Sequence, residues 1–118
     1  MANHPTADLA RLCAQLHSED LSATVRERVR YLLLDHLAVT IRGSVLPSSI
    51  AAYQMLEQMA IGSVKTVTIF GRQERAEARW ALLINGIAAH GLEMDDVENR
   101  SSLHPGVVVF PAVLALAE

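Results

Sequence analysis

The feature that most constrains this chain is the run at residues 107–117, Val-Val-Val-Phe-Pro-Ala-Val-Leu-Ala-Leu-Ala, which holds no polar side chain. A helix that is hydrophobic all round belongs in the middle of a large core. The run is too short to cross a bilayer, which takes roughly 20 apolar residues. A chain of 118 residues has few other elements to surround it. The expectation is therefore the N-terminal piece of a larger domain, or one chain of a tight assembly.

Composition narrows the function classes. Hydrophobic residues make up 51% and charged residues 19%, which excludes a disordered chain because there is ample apolar surface to bury. Aromatics are only 4%, so the core is aliphatic. The net charge of −3 and the absence of clustered Lys and Arg argue against a nucleic-acid partner. One cysteine, Cys13, excludes an internal disulfide and a cysteine-ligated zinc or iron–sulfur site built from this chain alone. Cys13 has apolar neighbours at helical spacing and reads as a small core residue. A reducing cytoplasm suits this cysteine usage. The first eight residues lack the basic and apolar regions of a signal peptide, and no membrane association is expected.

Periodicity predicts helices with one exception. Leu9, Leu12, Cys13 and Leu16 share a face of a first helix over residues 6–17. Ser22 or Thr24 can cap a second, whose apolar stripe is Val25, Val29, Leu32, Leu33, Leu37 and Ile41, with Gly43 stopping it at positive φ. A third runs from Pro47 to about Ala60, ended by Gly62 and Ser63. Residues 64–70 alternate Val67 and Ile69 with threonines, the one stretch with strand character, expected as an extended connector or edge. A fourth helix is expected from about Glu74 to Glu93. Its period passes through Asn85-Gly86, so Gly86 reads as a close-packing position. A polar loop then leads into the final apolar segment.

Chemistry concentrates in residues 90–106, His-Gly-Leu-Glu-Met-Asp-Asp-Val-Glu-Asn-Arg-Ser-Ser-Leu-His-Pro-Gly. His90 and Glu93 are three apart and would share a helix face. Asp95 and Asp96 would follow at the helix C-terminus, the end that disfavours carboxylates. His104-Pro105-Gly106 sets an imidazole on a rigid turn. Three readings compete. The acids and histidines merely solvate a loop. They bind a divalent metal, although the spacing matches no closed zinc pattern. Or they form an acid–base site that handles a proton beside a carboxylate.

The stretch from Asn85 through His90, Glu93, Asp95 and Asp96, then His104-Pro105-Gly106 and residues 111–118, resembles the MmgE/PrpD family. So does Leu33-Leu34-Asp35 followed by Gly43-Ser44. The resemblance covers residues 7–118. It implies an all-α architecture, the N-terminal part of the family's large helical domain, with the short extended segment near 64–70 and without the family's smaller lid domain. It implies a lyase-type protein acting on small polycarboxylates by dehydration or decarboxylation, with no metal or organic cofactor. Carried over, the site residues are His104, Glu93, Asp95 and Asp96, with His90 and Arg100 as candidate substrate contacts. Glu93 replaces an Asp of the decarboxylase branch, and the loop between Asp96 and His104 is about one residue longer than there.

The resemblance also implies further site residues beyond Glu118: another His, lysines and a tyrosine. The lone chain is thus expected to be inactive unless a homo-oligomer or a complementing chain supplies the rest. An epimerase of the same family and a non-catalytic helical association module are the alternatives.

Overall fold

A computed structural model describes residues 4–59, 64 and 66–118. Five α-helices are described: α1 (Pro5–Gln15), α2 (Ala23–Gly43), α3 (Pro47–Met59), α4 (Ala78–His90) and α5 (Gly106–Ala117). Two short strands, β1 (Val67–Thr68) and β2 (Arg75–Ala76), pair antiparallel. The all-α expectation holds. No helix among the described residues is long and apolar enough to cross a membrane.

The chain divides into two compact units, residues 1–30 and 31–118. In the first, Ser22 is the residue that caps α2: its Oγ accepts the amide of Val25 at 3.2 Å. The Arg26 guanidinium donates to the carbonyls of Ser18 (3.2 Å) and Leu21 (2.6 Å), closing the short 3₁₀ turn Ser18–Asp20. α1 buries no residue, and Cys13 is exposed. The expectation of Cys13 as a core residue is corrected. A unit of one helix, one turn and the start of another has too little apolar surface to cover the Leu9–Leu12–Leu16 face.

The second unit is built around α4. Its core joins Tyr53 and Leu56 of α3, Val67 and Ile69 at β1, Ala76 of β2, and Ala81 and Ile84 of α4. Asn85, in the middle of α4, is 3% exposed and serves the strand rather than a turn. Its Oδ1 accepts the amide of Phe70 at 3.0 Å and its Nδ2 donates to the carbonyl of Thr68 at 2.9 Å. An amide side chain offers a donor and an acceptor at peptide-like spacing, so Asn85 continues the ladder that a short strand cannot complete. The expected helix start at Glu74 is wrong for the same reason: Arg75 and Ala76 pair with Thr68 and Val67 as a second strand, and α4 begins at Ala78. The expected end of α3, with Gly62 and Ser63, lies outside the described residues.

The aliphatic stripe of α2 is covered only in part: Val25, Val29 and Ile41 are exposed, Leu32, Leu33 and Leu37 are half-buried, and the fully buried positions are His36, Val39, Thr40 and Gly43. The reason is at Gly43, which remains helical: a Cβ there would run into the carbonyl of Ala88. α2 thus meets α4 backbone to backbone, and small or compact side chains make that approach possible. Gly86, by contrast, would place a Cβ 3.4 Å from the carbonyl of Val107, an ordinary contact, so it is not the tight position. Pro111, inside α5, has no N–H to give that carbonyl.

His36 is buried at 3% exposure against Phe110, ring centroids 5.1 Å apart. The Thr40 hydroxyl donates to the His36 carbonyl at 2.6 Å, and the His36 Nδ1 has no hydrogen-bond partner among the described residues. Burial holds its pKa below the ordinary 6.5, with Asp96, Asp35 and Asp95 opposing in part.

Two outcomes follow from this packing. Asn85→Ala strands the Phe70 amide and the Thr68 carbonyl, each a loss of roughly 1–3 kcal/mol, and the urea midpoint should fall accordingly. The unfolded chain protonates His36 more readily than the folded one. Its contribution to stability is therefore complete above pH 6.5 and is lost as pH falls through the lowered folded value. His36→Leu should flatten the acid limb of a stability-against-pH profile, while the wild type should lose midpoint steadily below pH 6.5.

Candidate active site

α4 ends at His90, and the chain then turns through Glu93, a non-glycine residue at φ 51°. His90 and Glu93 therefore do not share a helix face, and the expectation that they do is corrected. Glu93 is exposed beyond the helix end. Asp95 and Asp96 lie five and six residues past the end of α4: Asp95 turns back to His90, the last residue of that helix, and to His104, whereas Asp96 reaches the start of α5.

The Asp95 side chain is only 2% exposed, and it is gripped by two imidazoles. His90 Nδ1 lies 3.1 Å from both carboxylate oxygens, and His104 Nδ1 lies 3.0 Å from Oδ2. A carboxylate only accepts, so both Nδ1 atoms donate and both Nε2 atoms are left as bases. The two rings meet edge to face with centroids 4.8 Å apart. Burying an unpaired carboxylate costs several kcal/mol, and two donors offset that cost.

Asp96 performs a different task. Its Oδ1 accepts the amide of Gly106, the first residue of α5, at 3.0 Å. This is a carboxylate at a helix N-terminus, where the dipole and an orphan amide both favour it. A Cβ at Gly106 would displace that carboxylate, so the glycine leaves room for the cap. The loop between is closed by Glu98. Its amide donates to the carbonyl of Leu103 at 2.8 Å. Its carboxylate takes the Ser101 hydroxyl at 2.6 Å and the amides of Ser101 (2.9 Å) and Arg100 (3.2 Å). The Ser101 hydroxyl, then these amides, hold the Glu98 pKa below its ordinary value.

Of the six residues expected at the site, the structure brings together His90, Asp95 and His104, with Asp96 fixing the end of the loop. Arg100 is exposed in the turn that Glu98 closes. Sequence reasoning did not pick out Glu98 and Gly106 as organisers of this loop. The Glu-x-x-Ser spacing at 98–101 and the glycine after His-Pro were the signals for them.

The donor atoms of His90, Asp95 and His104 lie within 4.8 Å of one another, a set able to hold a divalent ion. Their Nδ1 and carboxylate atoms already hydrogen-bond one another. Beside it an open groove of about 520 Å³ runs between α4 and α5, lined by Leu83, Gly86, Ile87, Val108 and Pro111, with His90 also on its wall.

A sequence model described as the MmgE/PrpD N-terminal domain matches residues 7–118. The chain belongs to the MmgE/PrpD family. Among its relatives, a cis-aconitate decarboxylase-like protein, oryM, of Aspergillus oryzae is 31% identical over 113 residues, 96% of this chain and 23% of that protein. Two cis-aconitate decarboxylases of Aspergillus terreus are 27% and 26% identical over the same coverage. The chain thus spans about a quarter of the length of these MmgE/PrpD relatives.

Removing the Asp96 carboxylate tests the loop. Asp96→Ala should cost about 1 kcal/mol, the usual loss of a helix cap, read as a lower thermal midpoint. Gly106→Ala should cost up to the same amount by displacing the same carboxylate.

Proposed function

We propose that this chain forms one wall of a cofactor-independent lyase site that moves a proton next to a carboxylate of a small polycarboxylate. The carrying observation is the buried Asp95 carboxylate bound to His104 Nδ1, which fixes that ring with Nε2 free. Loss of a proton beside a carboxylate builds an enolate-like anion. A positioned imidazole carries the proton, and nearby donors stabilise the charge. His104 is the proton-transfer or carboxylate-binding group, Asp95 orients it, and Asp96 anchors its turn. Glu93 and Arg100 stand at the rim as candidate substrate contacts. The printed names of the relatives support decarboxylation, and dehydration belongs to the same reading.

A polyanionic substrate needs several cations, and this wall offers only Arg100 and the imidazoles. Completion by further polypeptide, joined to this chain or separate, is part of the proposal. The exposed apolar residues of α5, Val108 at 70% and Leu116 at 88%, support such a neighbour. They equally support the second reading, a helical association module without turnover.

The test is an assay of the chain alone, and of the chain with its completing polypeptide, against 2-methylcitrate, cis-aconitate and citrate. The lone chain should be inactive and the completed protein active, with His104→Ala at least about 10²-fold slower. A completed protein silent on every small polycarboxylate would leave the association module. In sedimentation at micromolar concentration the lone chain should self-associate through α5, and a clean monomer would count against the apolar contact surface.

A further inference from the structure

The cluster has a symmetry that a single proton-transfer residue does not require. His90 and His104 approach Asp95 through the same ring atom, Nδ1, at 3.1 Å and 3.0 Å. Their side chains are 45% and 29% exposed, whereas the carboxylate between them is 2% exposed. Both imidazole side chains are thus partly open while sharing one buried counter-charge. His90 also lies on the wall of the groove between α4 and α5.

We propose that His90 is a second proton-transfer group, paired with His104 through Asp95, and that the pair serves removal of water from a β-hydroxy acid. The chemistry rests on the lyase reading, whereas the pairing rests on geometry alone. One carboxylate balances one positive charge, so the trio is neutral when one ring holds an extra proton and the other does not. In dehydration the neutral ring's Nε2 takes the proton from the carbon beside a carboxylate. The C–H electron pair becomes the new C=C bond. The hydroxyl on the neighbouring carbon leaves with its bonding pair, receives the Nε2 proton of the charged ring and departs as water. One proton enters the pair and one leaves, so Asp95 faces a single positive charge before and after. Decarboxylation, which hands one proton to a carbanion, would instead leave the trio one charge lower. Epimerisation needs bases on opposite faces of one carbon, and rings with centroids 4.8 Å apart leave no room for a carbon between them.

The pairing is tested on the 118-residue chain itself by ¹⁵N NMR of the imidazole nitrogens. At a pH where both imidazoles are neutral, His90 and His104 should each be the Nδ1–H tautomer. Asp95→Asn should release both rings toward the Nε2–H tautomer that free imidazole favours. Diethylpyrocarbonate should modify Nε2 of both residues and spare the buried His36. An Nε2–H tautomer at either ring in the wild type, or a His90 that stays unmodified while His104 reacts, would overturn the proposal without needing any variant to fold. In the completed protein, His90→Gln and His104→Gln should each slow dehydration of 2-methylcitrate or citrate by at least about 10²-fold. An unchanged rate with His90→Gln would overturn the second-base role. If both rings hold the Nδ1–H tautomer but the completed protein turns over no polycarboxylate, the lyase reading fails and the pairing stands.

Discussion

A single buried carboxylate organises the chemistry of this chain. Asp95 is out of water, and a charge in that position is tolerable only with donors at close range. His90, at the end of α4, and His104, just before α5, supply them. Without the pair, the histidines would be two more polar residues in a surface loop. With it, a loop that leaves one helix and enters another is fastened in its middle, and each ring has one orientation and one free nitrogen.

The neighbouring Asp96 shows how two adjacent acids divide labour. The two side chains take separate partners on either side of the loop. One carboxylate reaches the imidazoles and the other the amide of Gly106. The position of His104 is therefore set from both sides: by Asp95 on its ring and by Asp96 two residues later on the backbone. α4 carries the other end of this arrangement. Its register is held by Asn85 on the β1 strand and by the close approach of Gly43 to Ala88. The fold delivers His90 to the site through these contacts together with the core that α4 shares with Leu56, Val67 and Ile69.

Much of this was legible in the sequence. Helical period located five helices, and the concentration of His, Asp and Glu at residues 90–106 marked the candidate site. What escaped were features that periodicity cannot encode. Asn85-Gly86 carries a turn-like signal, yet Asn85 is an amide completing a strand ladder. The β2 strand is two residues long and was absorbed into the expected start of α4. The aliphatic stripe of α2 suggested a buried face. The face that packs, His36, Val39, Thr40 and Gly43, is selected by backbone proximity, which hydropathy does not report. The helix-face pairing of His90 with Glu93 failed because α4 ends one turn earlier than its apolar period implies. The partnership of Asp95 with two histidines, five residues before it and nine after it, depends on loop closure and had no local signature.

Membership in the MmgE/PrpD family fits this division between a firm scaffold and an open site. The chain contributes an oriented imidazole pair and an apolar helix face, and about a quarter of the length of its relatives. The most direct measurement of the central claim is a crystal structure of the chain that traces residues 90–106. The account predicts the Asp95 carboxylate buried between the Nδ1 atoms of His90 and His104, each within about 3.2 Å. A carboxylate turned into solvent, with either imidazole hydrogen-bonded elsewhere, would contradict it.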